Sequence, residues 1–157
     1  KVNILPDSTH RRYVPVADVE YKGHVIQFAS LHLLNGVKPS WLLEPSRLSQ
    51  RLDDAETTRK THFRHVLDVL PTSGPLVVGG DFNTMPKGGI YARLRERFGD
   101  AFARAGRGCG LTFPDLVPTV RIDYQFYTDE LLPVRAESMP SDASDHACVV
   151  VDYIFRS

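Results

Sequence analysis

Four short stretches place acidic, amide and imidazole side chains beside apolar runs typical of β-strands. They are SLHL with His32, GGDFNT with Asp81 and Asn83, RIDYQF with Asp123, and SDH with Asp145 and His146. Taken singly, each has a simple structural explanation: a turn, a hydrogen-bonded core histidine, or a loop whose polar side chains bond the local backbone. For the four together these explanations are insufficient, because buried ionisable groups cost free energy unless they are paired or bind a metal. We therefore expect these strand ends to converge at one edge of a sheet.

The chemistry that such a group of side chains suits is phosphoester hydrolysis. Carboxylate and amide oxygens are ligands for a hard cation such as Mg²⁺ or Mn²⁺. A histidine beside a carboxylate suits proton transfer or stabilisation of a charged transition state. A hard cation together with an Asp–His pair can activate water and stabilise the reacting phosphate.

The elements that must position these groups follow from the hydrophobic pattern. Strands are predicted for residues 11–21 and 24–34, joined by a hairpin turn at Gly23. Apolar residues at helical spacing predict a long helix over 45–70, followed by a short apolar strand over 75–80. The remaining predictions are a helix over 89–98 and strands over 111–114, 121–128, 131–139 and 146–155. The last strand is apolar on both alternating sets, which predicts burial on both faces.

Composition sets limits on the function. The chain has 157 residues, 42% of them hydrophobic and 24% charged, which indicates an ordinary globular protein. Lys plus Arg and Asp plus Glu are equal at 19 each. This balance argues against a protein that binds long stretches of nucleic acid, but it is compatible with a short phosphate-bearing substrate. Cys109 and Cys148 form no disulfide framework, so the cysteines do not indicate the cellular compartment. Cys148 is predicted to lie in a buried strand. No apolar run approaches the length of a membrane span.

The order LH, GDFN, RIDY, SDH resembles the endonuclease/exonuclease/phosphatase superfamily, and the segment before RIDY is most similar to its uncharacterised bacterial members. The resemblance implies an α/β protein with a DNase I-like four-layer α/β/β/α sandwich. It predicts that this chain forms one mostly antiparallel sheet with helices on one face. It also implies a Mg²⁺- or Mn²⁺-dependent phosphoric ester hydrolase. The substrate would be nucleic acid, a phospholipid headgroup or a small phosphodiester.

The resemblance also implies roles for the catalytic candidates. Asp81 would orient or deprotonate the attacking water, or protonate the leaving group, and Asn83 would position the phosphate and the nucleophile. His146 would contact the scissile phosphate, with Asp123 holding its other ring nitrogen. His32 resembles the second histidine of DNase I-like and sphingomyelinase-like members, which disfavours abasic-site repair. In the same way, the metal ligand in this chain would be Asp145.

One departure from the family pattern is large. Members of the family begin with a strand bearing an Asn and continue with a QE motif, whose Glu is the principal metal ligand. Only 31 residues precede His32, Asn3 is interpreted as a coincidence, and Glu20 at a hairpin is a poor substitute. Residues 1–157 are therefore predicted to be the C-terminal portion of a single domain, inactive without a missing N-terminal half.

The alternative interpretation is a non-catalytic half-domain that lacks the Glu metal ligand. A nucleic-acid-binding module fits less well, because there is no basic surplus. We expect the loop over 35–44, with Lys38 and Trp41, to line the rim of the site. His62 and His65 are interpreted as part of a solvated helix face rather than a zinc site.

Overall fold

A computed structural model describes residues 1–7, 12–35, 45–114, 117 and 119–156. Its elements mostly follow the hydrophobic pattern of the sequence. The strands and helices, in chain order, are β1 (Val2–Asp7), β2 (Arg12–Tyr21), β3 (His24–His32), α1 (Leu48–Val69), β4 (Leu76–Asp81), α2 (Gly89–Arg95), β5 (Gly99–Asp100), α3 (Ala101–Ala105), β6 (Asp123–Tyr127), β7 (Leu131–Met139) and β8 (Cys148–Phe155). A short 3₁₀ turn, Pro45–Arg47, precedes α1.

The larger sheet has six strands in the order β1-β2-β3-β4-β6-β5. All its neighbouring pairs are antiparallel except β3 and β4. The predicted mixed α/β fold with a mostly antiparallel sheet is therefore confirmed. The structure differs from the expected single sheet in that β7 and β8 form a separate, two-stranded antiparallel sheet.

Each face of the six-stranded sheet has its own cover. On the first face Phe63 and Val66 of α1 and Leu94 of α2 pack against strand residues in the main core. On the second face a smaller cluster joins Val77 and Tyr127 to residues of α3, β7 and β8. The helices therefore do not all lie on one face as expected, because the short helix α3 packs with the β7–β8 hairpin on the other.

Strand β8 is buried on one face only, which corrects the prediction of burial on both. Val151, Tyr153 and Phe155 pack toward the six-stranded sheet. Cys148, Val150 and Ile154 on the alternate set are exposed. The physical reason is that β7 and β8 form a layer whose outer surface is covered by no described residue.

Two smaller differences concern local pairing. Residues 111–114 do not form a strand; Phe113 makes only an isolated bridge with Val120. The unpredicted β1 is an edge strand that pairs with β2 from Val2↔Ala17 to Asp7↔Arg12. The sequence analysis did not predict β1, because its short segment shows no clear strand pattern and the strand is stabilised by pairing with β2.

Within the described residues no helix is both long and apolar enough to cross a membrane.

Candidate active site

Three adjacent strands place His32, Asp81 and Asp123 in one row across the sheet. His32 is in register with Asp81, and Asp81 is in register with Asp123. Side chains alternate along a strand, so the row shares a face with Val77 and Tyr127, which is the face that carries the β7–β8 hairpin. His32 Nε2 lies 3.6 Å from Asp81 Oδ2. The row lies at one edge of the sheet, where β3 and β4 end and β6 begins.

Gly80, directly before Asp81, lies where β4 leaves no room for a side chain beside β3. Gly80 has φ +137°, and a Cβ at this position would lie 1.9 Å from the carbonyl oxygen of Leu31. No side chain other than hydrogen fits there, and φ in this region also favours glycine. Gly80 therefore sets the backbone path that delivers Asp81 to the row.

Asn83 is held against Asp81 by its backbone and its side chain. Its backbone N–H donates to Asp81 Oδ1 over 2.8 Å, and its Nδ2 donates to Asp81 Oδ2 over 2.9 Å. Nδ2 also donates to the carbonyl of Leu33, while Nη2 of Arg59 donates to the carbonyl of Asn83 over 2.6 Å. The left-handed backbone of Asn83, with φ 46°, is one that asparagine tolerates better than most residues.

His146 reaches the row through Asp123, as predicted. Its Nδ1 lies 2.9 Å from Asp123 Oδ2. An ionised carboxylate only accepts hydrogen bonds, so Nδ1 carries the proton and Nε2 is directed away from Asp123. The backbone N–H of His146 donates to Ser144 Oγ, and the ring packs 4.6 Å from that of Phe113. The imidazole is thus fixed from several sides.

Burial and charge change the protonation of two of these groups. Burial raises the pKa of Asp81, and the charge of Asp123 adds to the increase, although the hydrogen bond from Asn83 opposes it. Partial burial alone would lower the pKa of His146. The hydrogen bond to Asp123 and the charges of Asp123, Asp81 and Asp145 outweigh it, so the pKa of His146 lies above its usual value. The site therefore pairs a strengthened base with a histidine that favours the imidazolium form.

The structure brings five of the six predicted side chains together as two adjacent groups: His32 and Asn83 contact Asp81, and His146 contacts Asp123, which is in register with Asp81. Asp145 differs, since its carboxylate is exposed and its influence on these groups is through the pKa of His146. The oxygen atoms of Asp81, Asn83 and Asp145 have the right chemistry for a hard cation. However, no group of three His, Cys, Asp or Glu within the described residues is arranged to hold a metal ion. These residues alone therefore do not complete a metal centre.

The sequence matches a known family. A model of the Endonuclease/Exonuclease/phosphatase family matches residues 3–146, which includes every motif described above. The chain belongs to this family. No significant sequence match is found among curated proteins.

Several solved structures share the fold. A family protein from Leptotrichia buccalis is 20% identical with a TM-score of 0.65, and the match covers 94% of this chain and 55% of that one. A functionally unknown protein from Enterococcus faecalis is 17% identical with a TM-score of 0.68, covering 98% and 60%. The Bacteroides thetaiotaomicron mannosyl-6-phosphatase Bt3783 is 19% identical with a TM-score of 0.62, covering 95% and 59%. The chain thus spans little more than half the length of these structures.

The sequence analysis did not identify Thr112, which holds the backbone of the segments that carry Asp123 and His146. Thr112 Oγ1 accepts from the backbone N–H groups of Ile122 and Asp123, and its carbonyl accepts from Ala147. Thr112 therefore links the backbones on both sides of the Asp123–His146 pair. The segment LTFP was interpreted as a strand, and nothing local in its sequence distinguishes Thr112.

Other expectations have mixed outcomes. Arg59 lies in a run interpreted as charged helix surface, yet it is half-buried and contacts Asn83. His62 is buried with an exposed fraction of 2%, which corrects its assignment to a solvated face. The predicted rim residues Lys38 and Trp41 lie outside the described residues.

Proposed function

We propose that this chain is the C-terminal portion of a metal-dependent phosphoester hydrolase domain, acting as a phosphodiesterase, nuclease or phosphatase. The observation that carries the proposal is the row His32–Asp81–Asp123, with Asn83 hydrogen-bonded to Asp81 and His146 to Asp123. Family membership and the similarity of fold to a mannosyl-6-phosphatase support the same reaction class.

In the proposed reaction, water forms a bond to phosphorus while the bond to the leaving oxygen breaks. Asp81 accepts the proton of the water, a role that its raised pKa favours. His146 donates a hydrogen bond from Nε2 to a phosphoryl oxygen and stabilises the charge that develops there. Asp123 holds the ring by Nδ1, Asn83 orients water and phosphate, and the leaving oxygen takes a proton from solvent or from the protein.

A bound Mg²⁺ or Mn²⁺ would supply charge neutralisation at the phosphate. Asp145 is the residue of this chain that we assign to it. One carboxylate with water and substrate oxygens holds such an ion weakly. We therefore propose that a segment outside these 157 residues supplies a further carboxylate and also covers the exposed face of β7 and β8.

The test is hydrolysis of bis-p-nitrophenyl phosphate and p-nitrophenyl phosphate by the full-length protein, with Mg²⁺, with Mn²⁺ and with EDTA. We expect metal-dependent turnover that His146→Ala lowers by about 10²- to 10⁴-fold, the usual effect of removing a group of this kind. Asp142→Ala, an exposed acid in the same loop, is the matched control and should retain activity. Equal rates for wild type and His146→Ala would overturn the assignment.

A second candidate is a non-catalytic half-domain that keeps the motifs without chemistry. The observation that favours it is the lack of a metal-holding group among the described residues. It predicts that the full-length protein hydrolyses neither ester with any metal, even though the Asp123–His146 hydrogen bond is intact.

A further inference from the structure

A buried ion pair joins the N-cap residue of α3 to the residue two positions before Asp123. Nη2 of Arg121 donates to Asp100 Oδ2 over 2.9 Å. Both residues are buried, with exposed fractions of 8% for Arg121 and 1% for Asp100. Neither has a part in the proposed reaction. Because replacing a buried ion pair by uncharged residues is often neutral for stability or even stabilising, stability alone does not explain why these two charges are buried.

Asp100 is held by three donors. Its Oδ1 accepts from the backbone N–H of Ala103 over 3.0 Å, which caps α3. Its Oδ2 accepts from the hydroxyl of Tyr91 over 2.8 Å as well as from Arg121. The backbone of Asp100 is also in register with Phe126 of β6. Since hydrogen bonds to an ionised carboxylate are stronger than those between neutral groups, Asp100 is a fixed point to which Arg121 is tied.

The guanidinium of Arg121 is also fixed by two aromatic rings. Its Cζ lies 4.9 Å from the ring centre of Tyr124 and 5.5 Å from that of Phe102. A planar guanidinium stacks on aromatic faces and presents its donors in a rigid fork, which lysine cannot reproduce. The position of Arg121 relative to Asp100 therefore has little freedom.

The ring that stacks on Arg121 also connects two segments of the candidate site. The hydroxyl of Tyr124 lies 2.7 Å from the carbonyl oxygen of Arg121 and 2.9 Å from that of Thr84. Burial raises the pKa of Tyr124, so the hydroxyl keeps its proton and donates it to one of these carbonyls. Thr84 directly follows Asn83 in the chain. Tyr124 thus links the segment after β4 to the segment that leads into β6.

Asp123 takes its position from these contacts. It lies two residues after Arg121 and directly before Tyr124, and side chains alternate along a strand, so its carboxylate is on the opposite face of β6 from the ring of Tyr124. The link from the ion pair to this carboxylate therefore runs through the backbone. Since Asp123 Oδ2 lies 2.9 Å from Nδ1 of His146, a shift of this backbone changes the direction of the imidazole.

We propose that Asp100 and Arg121 are positioning residues, whose buried ion pair fixes the backbone before β6 so that Asp123 holds His146 in its working orientation. The inference rests on the proposed function for its effect on catalysis, but not for its effect on the Asp123–His146 hydrogen bond. Because the ion pair acts on orientation rather than on substrate binding, kcat should depend on it and KM should not.

The first test separates positioning from stability in the full-length protein. Asp100→Asn/Arg121→Met removes both charges, while the asparagine keeps an acceptor for the cap of α3 and the methionine replaces the apolar stem of the arginine. We expect this double variant to melt within about 5 °C of wild type. Its kcat on bis-p-nitrophenyl phosphate should nevertheless fall by about 10- to 100-fold, with less than about a twofold change in KM. A folded double variant with the kcat of wild type would overturn the proposal.

The matched control is the exposed ion pair of β7. Arg135 donates two hydrogen bonds to Glu137, over 2.9 and 2.8 Å, so this pair has the same chemistry without the burial. Arg135→Met/Glu137→Gln should leave kcat and KM unchanged. An equal loss of kcat in both double variants would mean that charge rather than position matters, and this result would also overturn the proposal.

A second measurement needs no hydrolysis. The ¹H–¹⁵N spectrum of the His146 ring, recorded at one pH, reports on the hydrogen bond from Nδ1 to Asp123. We expect the ring signals to shift in Asp100→Asn/Arg121→Met and also in Arg121→Lys, which keeps the charge but not the planar fork. They should stay in place in the β7 control.

The two measurements distinguish failure of the positioning role from failure of the proposed function. Shifted His146 signals in a protein that hydrolyses no ester would support positioning while the proposed reaction fails. Unchanged signals in both Arg121 variants would overturn positioning whether or not the protein is an enzyme. Arg121→Lys is the milder change, so it decides the matter if the double variant does not fold.

Discussion

At the residue scale, Asp123 controls the protonation of His146. Asp123→Asn keeps a hydrogen-bonding group but removes the negative charge, so we expect the pKa of His146 to fall. Titration of the ring by nuclear magnetic resonance measures this directly. Asp142→Asn, in the same loop as His146 but without the hydrogen bond, should leave the pKa unchanged.

The same pair makes stability depend on pH. Because the pKa of His146 is raised on folding, its stabilising contribution is complete below the unfolded pKa of about 6.5 and is lost as the pH rises through the folded pKa. Asp123→Asn should therefore cost more free energy of unfolding near pH 5.5 than near pH 8.5. Urea unfolding at the two pH values checks the sign, and an equal cost at both would contradict the coupling.

Arg59 is the second residue whose role is specific enough to test. Its guanidinium holds the carbonyl of Asn83, and hydrogen bonds to charged groups contribute about 1.5–3 kcal/mol. In the full-length protein, Arg59→Met should lower kcat on bis-p-nitrophenyl phosphate by roughly tenfold or more with a smaller change in KM. Partial rescue by added guanidinium is expected.

The control for Arg59 is its neighbour Lys60, which pairs with the exposed Glu56. Lys60→Met should leave kcat on this substrate nearly unchanged, because the Lys60 side chain pairs with Glu56 and not with a residue of the candidate site. A similar loss in both variants would mean that Arg59 acts only through the general charge of α1.

At the scale of elements, the close approach of β4 to β3 depends on Gly80. Gly80→Ala would place a methyl group against the backbone of Leu31 and force an unfavourable φ, so we expect a loss of at least about 2 kcal/mol in the free energy of unfolding. Gly79→Ala is the matched control, since a Cβ there meets its nearest atom at an ordinary 3.7 Å. Urea denaturation of both variants decides the matter, and equal stabilities would show that the strands separate easily.

The elements also show what a single sequence can predict. Hydrophobic patterning was sufficient for β2, β3, β4 and β6, and polar residues at their ends were sufficient to predict that the site groups converge. Alternation could not show that β8 leaves the main sheet, because an apolar strand looks the same whether its second face is buried in this chain or elsewhere. Thr112 and Arg59 escaped notice for a related reason: their contacts join segments far apart in sequence and leave no local pattern.

At the scale of the whole molecule, the outer surface of the β7–β8 sheet exposes apolar side chains. Val150 and Ile154 are 43% and 50% exposed there. In the 157-residue chain expressed alone, Val150→Asp/Ile154→Asp should reduce self-association and dye binding to apolar surface, with little change in stability. Light scattering and fluorescence of such a dye provide the measurement.

Two comparisons sharpen this experiment. Val151→Asp, on the inward set of the same strand, should destabilise the chain by about 1–3 kcal/mol because it buries a charge. In the full-length protein the Val150→Asp/Ile154→Asp pair should become strongly destabilising if another segment covers this surface. An unchanged stability of the full-length variant would count against the proposed missing layer.

The row of His32, Asp81 and Asp123 has a consequence for how this protein can change in length. Side chains alternate with a period of two residues, so a single inserted or deleted residue inside β4 would move Asp81 to the opposite face of the sheet. Substitutions along β4 can have graded effects, but a change of one residue in its length removes the central carboxylate from the row at once. Lineages that keep this site must therefore accommodate insertions in the connections between strands and conserve the length of β4 itself.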